Sequence, residues 1–196
     1  MNWLKAPIVL QGVRVRLEPL ASSHFPALVE IGKNKNIWTH LPVDGSDGTL
    51  LEQELKSALV RKASGEEYPF AIIDVQSGNA IGSTRFYNIY PEHRKLEIGW
   101  TWYHPGWWGK GHNIECKYLL LRYCFEEMAA NRVQLQTSEE NLRSRAAILK
   151  IGATFEGILR KERIRPNGTT RNSAIFSIID DEWPQVKAML EARIAG

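Results

Sequence analysis

Two cysteines in 196 residues leave little scope for disulfide chemistry. Cys116 and Cys124 fall in a segment with helical periodicity, where eight residues at 1.5 Å each separate them by about 12 Å, too far to bridge. Histidine is also scarce, with five scattered copies and no Cys-x-x-Cys or His-Glu-x-x-His spacing, so no metal is implied. Charge of one sign is nearly absent: 25 Lys and Arg against 22 Asp and Glu leave +3, far below the excess of a dedicated nucleic-acid binder. DNA is therefore not the expected partner. The only apolar stretch near the start, Pro7-Ile8-Val9-Leu10, is too short for a signal-peptide core or a spanning helix. No membrane partner is expected, and a cytoplasmic location follows as the default. There is no low-complexity tract, while 43% hydrophobic and 24% charged residues give the balance of a globular protein. The length suits one domain, 1–196.

Val13, Val15 and Leu17 alternate with Arg14, Arg16 and Glu18, which predicts a first strand with one wet face. Ser22 or Ser23 is placed to cap a helix to about Lys33, and Leu50 to Ala63 carries a second helical pattern beyond the turn-rich Pro42 to Gly48. Pro69 to Val75, Ala80 to Tyr87 and Leu96 to Tyr103 then read as an antiparallel meander. The pattern changes at His104-Pro105-Gly106-Trp107-Trp108-Gly109-Lys110-Gly111, after which Ile114, Tyr118, Leu121, Phe125 and Met128 recur at helical spacing. Val133, Leu135 and Thr137 mark another strand, and a short helix runs from Asn141 to Gly152. Phe155 to Arg165 and Thr170 to Ile179 flank the hairpin signal Pro166-Asn167-Gly168, and Asp181 to Ala195 closes the chain as a helix. The fold class is α+β, with a mixed sheet and one strand-helix-strand crossover.

A Gly-x-Gly turn between strand and helix leaves main-chain N–H groups free at the positive end of the helix dipole, where a pyrophosphate would bind; glycines also occur there merely to let the chain turn. A dinucleotide fold would need a third glycine at 114, which is Ile114, and repeated strand-helix units. An NTPase loop would need Ser or Thr after Lys110, which is followed by Gly111. Both readings fail.

Glu97-Ile98-Gly99, Pro105, Trp108-Gly109-Lys110-Gly111, Asn141-x-x-Ser144, Lys150-Ile151-Gly152 and Phe155-Glu156-Gly157 stand in an order and spacing that resembles the GNAT N-acetyltransferases. Arg165-x-Asn167-Gly168 and Asp181-Glu182-Trp183 extend the match, and the branch it resembles is the ribosomal-protein N-terminal acetyltransferases (RimJ/RimL type). The resemblance spans about Val9 to Trp183. It implies a mostly antiparallel sheet of about seven strands with helices on both faces, and acetyl-coenzyme A as co-substrate without a metal. The acceptor it implies is a protein N-terminal amine or a small amine, and a homodimer is compatible with it. Two positions depart from the family: Gly106 replaces its usual Arg or Gln, and Ile148 replaces the Tyr that serves as acid in many members.

By that resemblance Glu97 is the base that takes the amine proton, its alternative being a solvated strand carboxylate. The strand carrying it parts from its neighbour after a bulge near Gly99, so that Thr101, Trp102 and Tyr103 offer main-chain groups to the pantetheine arm. The pyrophosphate then lies on Trp108, Gly109, Lys110, Gly111, His112 and Asn113. Ser144 returns a proton to the thiolate, or is plain helix surface. Asn141 holds the pantetheine amide, or only caps its helix. Cys116 reads as a buried small hydrophobe, not an acyl carrier, and Trp100, Trp102, Trp107 and Trp108 as packing more than as tunnel wall. The basic set Arg160, Lys161, Arg163, Arg165 and Arg171 is either a solvated strand edge or a guide for an acidic acceptor or the 3′-phosphate of the cofactor. A GNAT module that binds coenzyme A, or RNA through this hairpin, without catalysis is the reading from another class.

Overall fold

A computed structural model describes residues 3–41, 43–165 and 167–196. Pro42 and Pro166, which belong to two of the expected turns, lie outside them. The strands are β1 (Leu10–Gln11), β2 (Val15–Pro19), β3 (Tyr68–Asp74), β4 (Ala80–Tyr90), β5 (Lys95–Tyr103), β6 (Arg132–Ser138), β7 (Thr154–Ile164) and β8 (Thr170–Ile179). The helices are α1 (Phe25–Gly32), α2 (Gly48–Ser64), α3 (His112–Arg122), α4 (Leu142–Lys150) and α5 (Trp183–Ala195). One sheet holds the strands in the order β1-β2-β3-β4-β5-β6-β8-β7, with every pair antiparallel except β5 and β6. The expected α+β class and meander are present, with eight strands in place of about seven. The extra strand is β1, whose two residues are too few for any alternation to be read.

A core lies on each face. Leu119, Leu120 and Leu121 of α3 and Trp183, Val186 and Leu190 of α5 pack with Phe70, Phe86, Leu96, Ile98 and Leu135. On the other face Leu28 of α1 and Leu51 and Leu55 of α2 pack with Ala71, Ile73 and Trp102. Neither serine expected to cap the first helix does so: Ser22–His24 is a 3-10 turn led by Ala21, and α1 begins at Phe25. The α3 stripe also differs from the expected one. His112, Glu115, Cys116, Lys117, Leu119, Leu120 and Leu121 are buried, whereas Tyr118 and Phe125 are half-buried against Trp183, with ring centroids 6.4 and 5.3 Å away. The regular spacing is broken by a π-helical turn at Tyr123–Glu127.

Two features position the site. Glu115, in the first turn of α3, accepts N–H bonds from Val13 at 2.9 Å and from Arg14 and Val15 at 2.7 Å, tying the helix to the start of β2. The second is the separation of β5 from β6. Their parallel register covers only Lys95 to Glu97 against Arg132 to Gln134, after which the strands part. On the other edge of β5, Gly99 faces Arg85 and Trp102 faces Ser83, so Trp100 and Thr101 together oppose Thr84. The bulge expected near Gly99 thus falls one residue later, on Trp100, whose φ is 52°. Gly99 is required for a different reason: a Cβ there would lie 2.6 Å from the Tyr87 ring. The left-handed Trp100 is held by the Arg85 guanidinium, 4.4 Å above its ring. Arg85 is buried and paired with Glu54 at 3.0 Å and Glu67 at 2.8 Å.

Candidate active site

A cavity of about 300 Å³ opens where β5 and β6 part. Thr101, Trp102, Tyr103, Trp108, Gly109, Asn113, Asn141 and Ser144 all line it, so most of the residues singled out in the sequence come together. Lys110, Gly111, His112 and Glu97 are not on its wall.

The glycine turn borders the cavity through Gly109. Gly109 and Gly111 have φ of 75° and 83°, the left-handed region open to glycine at little cost. Glu115 is the first residue of α3 whose N–H bonds back along the chain, to the Gly111 carbonyl. Among the described residues the N–H groups from Gly109 to Ile114 have no main-chain partner. Trp108 does not belong to that run, because its N–H donates to the Pro105 carbonyl at 3.1 Å. The His112 ring is buried, 3.2 Å from Asp74 and packed on Trp107, so it is turned into the protein. Arg14 runs past the turn, its Nε 3.5 Å from where a Gly111 side chain would begin.

Glu97 is 1% exposed, not the solvated carboxylate that was the alternative. Tyr87 Oη donates a short hydrogen bond to it, and Asn88 and Gln134 add amide bonds at 3.1 Å each. Burial pushes its carboxyl above the usual range despite these donors, and burial together with Glu97 pushes the Tyr87 phenol well above 10. Tyr87 does line the cavity, so the carboxylate reaches it through the phenol.

Lys117 also lines the cavity and is 6% exposed. Its ammonium donates to Thr101 Oγ1 at 2.6 Å, and that hydroxyl lies 2.8 Å from Thr84 Oγ1, which anchors the lysine on the bulge. Burial lowers its pKa from 10.5 to about 8. Between these values the unfolded chain holds more protons than the native one, so this group makes stability rise with pH from about 8 toward 10.5. Lys117→Met should therefore raise the melting temperature at pH 7, by up to ~3 kcal/mol in stability, with the gain vanishing near pH 10.5. Denaturation at pH 7 and pH 10 checks this; a loss at pH 7 would mean the lysine is a structural pillar.

Asn141 caps α4, its Oδ1 accepting the Ser144 N–H at 3.0 Å. Ser144 and Ile148, one turn apart, both line the cavity. Trp108 holds the entrance: its Nε1 donates to the Tyr103 carbonyl at 3.2 Å, and Arg143 lies 3.8 Å over its ring. That bond occupies one of the main-chain groups expected to meet the pantetheine arm. The Tyr103 side chain is buried in the core, where burial and neighbouring Cys116 push its phenol well above 10. Trp102 packs on Trp38 with ring centroids 5.2 Å apart. Trp100, Trp107 and Trp108 both pack and line the cavity, so the two readings of the tryptophans are not exclusive. Cys116 is fully buried.

Residues 14–154 match the family model of the acetyltransferase (GNAT) domain. The chain belongs to the GNAT acetyltransferase family. It is similar to an uncharacterized N-acetyltransferase of Bacillus subtilis, YnaD, at 28% identity over 87% of this chain and 96% of that one. A putative ribosomal N-acetyltransferase of the same organism, YdaF, is 32% identical over 54% of this chain and 57% of its own. A crystal structure of a putative acetyltransferase from T. thermophilus superposes with a TM-score of 0.87 at 36% identity, covering 97% of this chain and 99% of that one.

For this GNAT enzyme two cavity residues were not evident from the sequence. Lys117 left a signal, a lysine one position from Cys116 and three from Leu120 on a buried helical face. Tyr87 left none, since only strand register sets it beside Glu97.

Proposed function

We propose that the enzyme uses acetyl-coenzyme A to acetylate a primary amine, a protein N-terminal α-amine, by direct transfer within a ternary complex. What carries this reading is one cavity lined both by Gly109 and Asn113 of the glycine turn and by Tyr87, the hydrogen-bond donor to Glu97. Six consecutive free N–H groups at a helix start, with Arg14 beside them, fit a pyrophosphate, and the parted strands leave β5 main chain for the pantetheine arm. Glu97 accepts the amine proton through Tyr87, and Ser144 gives a proton to the departing sulfur. Lys117 places a positive charge beside the bulge, where negative charge develops. The RimJ/RimL-type motifs and the likeness to a putative ribosomal acetyltransferase favour a protein N-terminus over a free polyamine.

Calorimetric titration with acetyl-coenzyme A, followed by thiol release against peptides and small amines, tests the proposal. Cofactor binding, with release on peptides bearing a free N-terminus and none on blocked ones, is the expected result. Binding without release on any acceptor would instead mark a non-catalytic module. Gly111→Val should weaken the cofactor by about 10- to 100-fold, because the side chain crowds the anion and disfavours the left-handed turn. Unchanged affinity in a folded Gly111→Val variant would move the pyrophosphate elsewhere.

A further inference from the structure

The charges around the cavity are of one sign. His40, Lys117, Arg143, Arg163 and Arg171 line it, and among the described residues no Asp or Glu does. A second cavity of about 270 Å³ shares His40, Arg163 and Arg171 with the first, adds Lys35 and Arg165, and includes none of residues 107–113. These shared cations therefore stand on the side away from the glycine turn, which has Arg14 and Lys110 of its own. They also stand near the reacting end, since the charge of Arg163 acts on both the Tyr87 phenol and the Glu97 carboxyl.

Arg171 leaves part of its hydrogen-bonding capacity unused. Its Nη1 donates to the His40 carbonyl at 3.1 Å and its Nη2 to Ser173 Oγ at 3.2 Å, while its buried Nε has no partner. The adjacent carboxylates are engaged by other groups. Glu162 binds Arg163 Nε at 3.0 Å and Ser173 Oγ at 2.8 Å, and Glu140 binds Arg165. Asp44, the one acid on the second cavity, accepts from the Ser46 hydroxyl at 2.6 Å. Burial and the Arg163 charge hold the Arg171 pKa below its ordinary value, against the opposing charge of Glu162. His40 is likewise held toward its neutral form by burial and Arg143, so it can meet a polar group without adding to the repulsion.

We infer that Arg163, Arg171 and His40 form a carboxylate-binding subsite, and that the acceptor is an amine carrying a carboxylate on the acetylated residue or on those that directly follow it. A guanidinium pair facing one carboxylate gives directional, charge-assisted bonds, and a first cavity whose described lining has no Asp or Glu is a poor seat for a polycation. The inference rests on the acetyltransferase reading above and narrows its substrate. The carboxylate comes either from acidic residues at the start of a peptide or from a free acidic amino acid.

The test compares kcat/KM at saturating acetyl-coenzyme A for a peptide beginning Ser-Asp-Asp, its Ser-Asn-Asn counterpart, a Ser-Lys-Lys peptide, free aspartate and spermidine. The wild type should favour Ser-Asp-Asp over Ser-Asn-Asn by roughly 10- to 100-fold, and the comparison with free aspartate identifies the source of the carboxylate. Arg171→Gln should bring that ratio to within about threefold of one, and Arg171→Lys should keep part of it. Should Arg171→Gln not fold, Arg163→Gln must lower the same ratio. Calorimetry on each variant should give an acetyl-coenzyme A Kd within about twofold of wild type. Equal turnover of acidic and neutral peptides, or a preference for Ser-Lys-Lys or spermidine, would overturn the subsite while leaving the acetyltransferase reading intact. A roughly tenfold loss of cofactor affinity in Arg171→Gln would assign these cations to the cofactor and overturn it too. Cofactor binding without turnover of any acceptor would overturn both.

Discussion

Replacing Glu97 with Gln should lower turnover on a good acceptor by roughly 100- to 10,000-fold at pH 7, the range of a lost general base. The loss should shrink above about pH 8, where an α-amino group is already neutral and needs less help. In the wild type, the acid limb of the pH-rate profile should lie above the ordinary carboxylate range, because burial raises the Glu97 pKa. Stability should not confuse the result. A buried acid with a raised pKa holds more protons folded than unfolded, so its contribution falls as pH rises through that window, and a neutral Gln escapes the cost. Gln can still accept the Tyr87 hydrogen bond, although its NH2 group then meets the Asn88 and Gln134 donors at the other oxygen's place. Tyr87→Phe should show the same pH-dependent loss, since it breaks the path from the cavity to Glu97. A loss that is uniform from pH 6 to 10 would make Glu97 a positioning residue.

The second large effect is expected at Ser144. Position 148 is Ile, so the hydroxyl that many GNAT enzymes place there is missing, and Ser144 stands one turn earlier on the same cavity wall. Ser144→Ala should cost about 10- to 1,000-fold in turnover, because a hydroxyl is a weak acid whose benefit is modest. Cofactor affinity should change little, the Asn141 cap being made to the Ser144 main chain and not to its hydroxyl. An acyl donor with a better leaving thiol should recover part of the rate. Full activity in Ser144→Ala would pass the proton to water. Tyr103 is a poor substitute, because its phenol is buried in the core and pushed well above 10.

Local pattern made much of this architecture legible. Alternation placed β2 and β6, strand-like runs between turn signals placed the other strands from β3 to β8 within a few residues, and Asn141 to Gly152 was bounded by its own cap and stop. The glycine turn was legible as a turn from its glycines, while its reading as an anion site rested on the order and spacing of the motifs around it. What could not be read depends on pairs distant in sequence. The sequence left Glu97 open as a base or a wet strand carboxylate, and its burial follows from a register that sets Tyr87 and Gln134 on either side of it. The bulge moved from Gly99 to Trp100 because Arg85, far from it in sequence and itself fixed by Glu54 and Glu67, holds the indole. The basic hairpin looked like solvated edge, yet two of its arginines turn inward where His40 meets them.

The central claim is that this cavity moves an acetyl group to an amine with Glu97 as the base. The most direct measurement is mass spectrometry of a peptide with one free α-amine and one lysine, incubated with acetyl-coenzyme A and either wild type or Glu97→Gln at pH 7. The account predicts acetylation of the α-nitrogen by the wild type, with thiol released in equal amount, and a loss of roughly a hundredfold or more in the variant. Acetylation at equal rates by both proteins would contradict it.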